Sequence, residues 1–157
     1  MPLLIGTGRT ISTTYAKNEV RHDAIAIICG DTRFPFFEKV VKEKIVGHNH
    51  VTIRAYAVGI APFLNDSSRS SVVNDIKILS SLNDWARLIV VGHENCGYYK
   101  ENYKNIPLDL LNIKILDDLK NTQKFFEMYD FLEKIIHFEA YFGYPTENGY
   151  NFKEIIL

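Results

Sequence analysis

Cysteine is scarce in this 157-residue chain, which holds only Cys29 and Cys96. In a reducing compartment two such thiols argue against a structural disulfide and leave free thiols or metal ligands. Charge of one sign is lacking as well: 18 Lys and Arg face 19 Asp and Glu, with no basic block. That balance excludes a dedicated nucleic-acid binder and a polybasic membrane anchor. No apolar run approaches the ~20 residues needed to span a bilayer, and no positive residue precedes the short apolar stretch of Met1 to Gly8, so a cytoplasmic location is expected. The Asn65-Asp66-Ser67 sequon then has no route to be used. There is no internal repeat, low-complexity tract or linker, and the length suits one domain over residues 1–157. What remains is ordinary for a folded chain, with 46% hydrophobic and 24% charged residues.

The apolar pattern alternates strand and helix. Ala24 to Ile28 is a short isoleucine-rich run that suits a strand buried on both faces, and it stops at Cys29-Gly30-Asp31. Phe36, Phe37, Val40 and Val41 recur at helical spacing up to Lys44, and Gly47 releases the chain into a second strand, His50 to Ala57. Ser67 to Leu82 opens with four serines, good N-caps, and then sets Val72, Val73, Ile76, Leu79 and Leu82 on one helical face. Leu88 to Val91 is a third strand, ending at Gly92-His93. Crossovers of this length imply parallel pairing in a sheet covered on both sides. Beyond Cys96, Tyr98 to Lys104 suits a short helix and Ile113 to Leu132 one long helix or two broken ones. Ile135 to Tyr144 alternates as a strand, Pro145 to Gly149 is turn-rich, and Tyr150 to Ile156 can return at the edge. The expected fold is α/β, a mainly parallel sheet of order 2-1-3-4 flanked by helices, with room for an antiparallel fifth strand.

Two segments follow strand ends: Cys29-Gly30-Asp31-Thr32-Arg33 and His93-Glu94-Asn95-Cys96-Gly97. In an open α/β sheet the crevice outside the carboxyl ends of neighbouring strands is where ligands bind. Two thiolates and an imidazole suit tetrahedral zinc with one position left open, the arrangement of a catalytic site.

Cys-x-Asp-x-Arg followed some sixty residues later by His-x-x-Cys-Gly resembles the β-class carbonic anhydrases, and the likeness extends over roughly Ala24 to Gly97. The resemblance implies that Cys29, His93 and Cys96 bind Zn²⁺, and that Asp31 and Arg33 are the paired acid and base beside it. It further implies reversible hydration of carbon dioxide to bicarbonate and a proton, with zinc lowering the pKa of its water toward ~7. In the family the counterpart of Asp31 is either held by the arginine or swings in as a fourth ligand; Arg33 is then the clamp, through a fork that Lys could not reproduce. A homodimer or higher homo-oligomer is implied as well.

The chain departs from the family at several points. Arg54-Ala55-Tyr56-Ala57-Val58-Gly59 is bulkier and less polar than the usual loop after the second strand, the sole glutamine is Gln123, and the N-terminal extension is short. These departures keep two alternatives open: hydrolysis of carbonyl sulfide or carbon disulfide on the same fold, and a silent zinc-binding relative acting as a sensor or interaction module. His48 and His50 have no third ligand near them and read as surface histidines, His22 and His137 offer less, and Glu94 reads as solvated. Phe34, Phe36, Phe37, Tyr98 and Tyr99 read as core rather than as site residues. A phosphatase loop needs its cysteine and arginine further apart than Cys29 and Arg33, and Gly6-Thr7-Gly8 lacks the context of a dinucleotide fingerprint.

Overall fold

A computed structural model describes residues 6–56, 63, 66–128 and 137–156. Five strands form one sheet: β1 (Ala24–Cys29), β2 (Val51–Tyr56), β3 (Arg87–His93), β4 (His137–Thr146) and β5 (Gly149–Glu154). Their spatial order is β2-β1-β3-β4-β5. The first four run parallel, and β5 returns antiparallel to β4 through the two-residue turn Glu147-Asn148. The order expected from sequence is therefore observed, with the fifth strand present.

Burial explains the order. Every residue of β1 is buried, as are Leu88 to His93 of β3, so these two isoleucine- and valine-rich strands take the centre. β2 is only half-buried and lies at the edge. After β1 the chain enters α1 (Phe37–Val40), which widens into a π-helical segment, Val41–Val46, and ends at Gly47 in the left-handed region (φ 85°). Over so short a stretch the side-chain pattern marks a helix but cannot tell a 3.6-residue from a wider turn. Helix α2 (Asp66–Ser80) buries Val72, Val73 and Ile76. A short α3 (Gly97–Asn102) follows β3, and α4 (Leu108–Glu127) then packs along β3 and β4. None of the described helices is long and apolar enough to cross a membrane.

Helix α4 begins five residues before the expected Ile113, while residues 129–132 of that expectation lie outside the described set. Its buried stripe is Leu111, Ile115, Asp118, Leu119, Thr122 and Phe126, whereas Leu108, Leu110 and Ile113 are exposed. Polar residues inside the stripe and apolar ones outside it blurred the period. Leu119 lies so close to β3 that a Cβ on Gly92 would stand 2.9 Å from its Cδ1. The last strand shows the same economy of space: a Cβ on Gly143 would meet Tyr150 Cε1 at 2.6 Å and Phe152 Cε1 at 3.1 Å. At the amino ends of the central strands, Arg87 pairs with Glu139 through Nε–Oε2 (2.7 Å) and Nη2–Oε1 (2.8 Å), and the Tyr141 hydroxyl donates to Glu139 at 3.0 Å.

Gly143→Ala forces two packed rings aside and should cost about 1–3 kcal/mol in urea unfolding. Burial pushes the Glu139 carboxyl up, but the bonds from Arg87 and Tyr141 outweigh it and hold the group below its usual range. A carboxyl depressed on folding contributes stability above its unfolded pKa of ~4.3, and that contribution is lost as pH falls through the lower folded value. Glu139→Gln should therefore cost about 2 kcal/mol at neutral pH, with the deficit shrinking below pH ~4. A deficit independent of pH would contradict that assignment.

Candidate metal centre

The turn after β1 and the turn after β3 are held together by one side chain. Gly30 N–H donates to the Tyr56 carbonyl at 2.9 Å, tying the first turn to β2. Asp31 Oδ1 accepts from the Arg33 backbone N–H and from Nε, both at 3.1 Å, and Oδ2 accepts from Nη2 at 2.7 Å. The same Nη2 donates to the Asn95 carbonyl at 2.9 Å, across to the turn after β3. Arg33 thus bridges both motifs with directed bonds that a lysine has no geometry to make. Its guanidinium, with the backbone N–H groups of Arg33 and Gly97, holds the Asp31 carboxyl down to about 2 against the upward pull of burial.

Cys29, His93 and Cys96 are all buried, and one ligand atom from each lies within 4.8 Å of the others. The two sulfurs are 3.9 Å apart. Tetrahedral zinc with bonds of ~2.3 Å would set two thiolates ~3.8 Å apart, so this spacing fits a shared ion. The imidazole fits too. Its Nδ1 lies 2.8 Å from the Glu94 carbonyl, which fixes the proton there and leaves Nε2 as an acceptor. Nε2 is buried and has no hydrogen-bond partner among the described residues. An orphaned acceptor at that depth is costly, and a metal ion is a partner that removes the cost. Rings of Phe34 (4.3 Å) and Phe37 (5.2 Å) brace the imidazole. Either sulfur can donate in this contact, which draws the Cys29 thiol below its usual range and holds Cys96 above it.

Beside this group opens a cleft of about 830 Å³, lined by Cys29, Asp31, Arg33, Tyr56 and Tyr98 among others. Of the five residues singled out from sequence, Cys29, Asp31 and Arg33 line this cleft, while His93 and Cys96 meet Cys29 in the buried donor group behind it. Other histidines lie elsewhere: His48 pairs with Asp23 (3.2 Å) near the amino end of β2, and His22 with Thr52 (2.8 Å). Of the aromatic residues read as core, Tyr99 is fully buried, whereas Tyr98 reaches the cleft wall. Ala55 and Tyr56 of the altered loop also line the cleft, while Ala57, Val58 and Gly59 lie outside the described residues. Gln123 sits on α4 and is not part of the lining. Sequence reasoning missed two contributors. Glu94 acts through its backbone, which leaves no side-chain signature. Asn95 holds φ 52°, and its type was a signal, since Asn tolerates the left-handed region better than most residues.

No protein-family model matches the chain, and no curated protein sequence does. Solved structures do match. The carbonic anhydrase from Streptococcus mutans superposes with a TM-score of 0.57 at 14% identity, covering 92% of this chain and 88% of that one. β-Carbonic anhydrase isoform I from Trichomonas vaginalis gives 0.54 at 16%, covering 90% and 87%. One of the tetrameric β-carbonic anhydrases from Sordaria macrospora gives 0.51 at 13%, covering 77% and 75%. The resemblance carried by the two short motifs thus extends to the whole sheet, and the chain has the fold of the β-carbonic anhydrases.

Proposed function

We propose that this chain is a zinc enzyme that reversibly hydrates carbon dioxide to bicarbonate and a proton, with Cys29, His93 and Cys96 holding the metal and Asp31 and Arg33 as the catalytic pair. The observation that carries the reading is the convergence of three buried donor atoms within 4.8 Å beside a carboxylate locked to an arginine. Two soft thiolates with an imidazole favour zinc over hard cations such as magnesium. Zinc with three protein donors and an open position supplies Lewis acidity that brings the ionisation of water down to a pKa of ~7.

The chain's own residues divide the remaining work. Arg33 keeps the Asp31 carboxylate ionised and fixed, so Asp31 acts at neutral pH as a hydrogen-bond acceptor that orients an O–H in the cleft. The Glu94 carbonyl keeps His93 in the tautomer that presents Nε2. Gly97 leaves the Asp31 oxygen accessible, since a Cβ there would stand 3.4 Å from Oδ2. The chain works as a homo-oligomer in this reading, supported by the tetrameric Sordaria macrospora structure and by exposed Leu110 and Ile113 on α4.

Purified protein should contain one zinc per chain and hydrate carbon dioxide in stopped-flow assays, with the rate rising from about pH 6.5 to about 9 as water ionises. His93→Ala and Cys96→Ser should lose zinc and activity together. Bound zinc without hydration at any pH would contradict the proposal. Asp31→Asn keeps its size but loses the charge that engages Arg33; zinc should be retained and kcat/KM should fall about 10²-fold. An unchanged kcat/KM would remove Asp31 from the mechanism.

A further inference from the structure

Helix α3 has six residues, too few to be stable alone, and its N-cap, Cys96, makes no capping bond with its side chain. Its position must therefore come from tertiary contacts. Those contacts flank Cys96 on both sides, and both lead to α4. Ahead of the cysteine, the Asn95 backbone N–H donates to Asn112 Oδ1 at 3.2 Å. Beyond it, the fully buried Tyr99 donates its hydroxyl to Asp118 Oδ2 at 2.6 Å, a short bond to a charged acceptor. Asp118 is itself buried and is balanced by Lys114 Nζ at 3.2 Å, one turn earlier on α4. Lys114 lies 5.1 Å over the ring of Tyr103, which stacks on Tyr99 at 5.8 Å, so the contacts close into a ring.

We infer that Tyr99, Asp118 and Asn112 are positioning residues that clamp the Cys96-bearing turn onto α4 and thereby fix where its sulfur meets the metal. The inference rests on the metal-site reading above. Tyr99 stands three residues past Cys96 on this short helix, so a shift of α3 would move the sulfur as well. Metal–ligand distances tolerate only about 0.2 Å, which makes a small swing of α3 sufficient to weaken binding. A buried carboxylate is a poor way to gain stability alone, because its desolvation offsets much of its pairing; here it sets the place of the phenol and, through it, of the first turn of α3.

The test uses zinc-loaded full-length protein and follows transfer of zinc to the chromophoric chelator 4-(2-pyridylazo)resorcinol. In parallel, the thiolate-to-cobalt charge-transfer absorption of the Co²⁺-substituted protein reports on the sulfur ligands directly. Tyr99→Phe removes one hydroxyl and keeps the ring; Asn112→Ala removes the other tether at a half-buried position that does not threaten folding. Glu139→Gln serves as the control, because it destabilises the sheet at its opposite end. Loss of ligand-orienting partners typically costs 10–100-fold in metal affinity, so both clamp variants should release zinc about 10-fold faster or more and alter the cobalt band. The control should stay within about 2-fold of the unsubstituted protein, with its band unchanged. Release within about 2-fold for Asn112→Ala and for folded Tyr99→Phe overturns the clamp, and so does equal acceleration by Glu139→Gln. Should Tyr99→Phe not fold, Asn112→Ala decides alone. An unsubstituted protein that binds no zinc overturns the metal site and the clamp together, whereas bound zinc with unaffected variants overturns only the clamp.

Discussion

Parallel pairing of β1 with β3 aligns Ala24 with Arg87 and Ile27 with Val90, so the chain leaves both strands at the same end of the sheet. Everything at the candidate centre depends on that alignment. Cys29 is the last residue of β1 and His93 the last of β3, and Cys96 follows after a two-residue turn whose second residue, Asn95, takes the left-handed conformation. The alignment itself is enforced by packing: the side chains of both strands are buried on either face, so a slip of one residue would move each of them into a space shaped for its neighbour. On the far side of β3, β4 extends the same ladder and positions the Glu94 backbone N–H 2.8 Å from the Gly143 carbonyl, which steadies the second turn.

Burial raises the electrostatic stakes at that end of the sheet. Two thiols and an imidazole are withdrawn from water there, and His93 Nε2 has no hydrogen-bond partner among the described residues. Arg33 carries the only guanidinium that touches both turns among the described residues, and its bonds go to the Asp31 carboxylate and the Asn95 carbonyl rather than to the sulfurs. The donor trio thus makes no bond to this guanidinium, while the Asp31 carboxylate is engaged by it. Farther out, Tyr99 and Asp118 repeat the same economy, placing one buried charge where it fixes the orientation of a short helix.

Much of this was legible in the residues. The strand order followed from compact apolar runs and crossover lengths, because continuous burial leaves a clear mark in Ala24 to Ile28 and Leu88 to Val91. All five candidate residues stood in two motifs at strand ends, and the sheet brings them together. The parts that were not legible share a physical cause. The start of α4 was hidden because Asp118 and Thr122 lie in its buried stripe while Leu108 and Leu110 face out. The π-helical widening at Val41 to Val46 leaves no separate pattern over so few residues. Glu94 works through its carbonyl, and Asn112 and Asp118 act across contacts between α4 and the turn that no local spacing reveals.

The central claim is that two sulfurs and one imidazole nitrogen from Cys29, Cys96 and His93 hold a single zinc with a position left open. X-ray absorption at the zinc edge of the purified protein tests it most directly. The account predicts two sulfur neighbours at ~2.3 Å and one nitrogen at ~2.0 Å. A zinc shell of nitrogen and oxygen alone, or one closed by four sulfur and nitrogen neighbours, would contradict it.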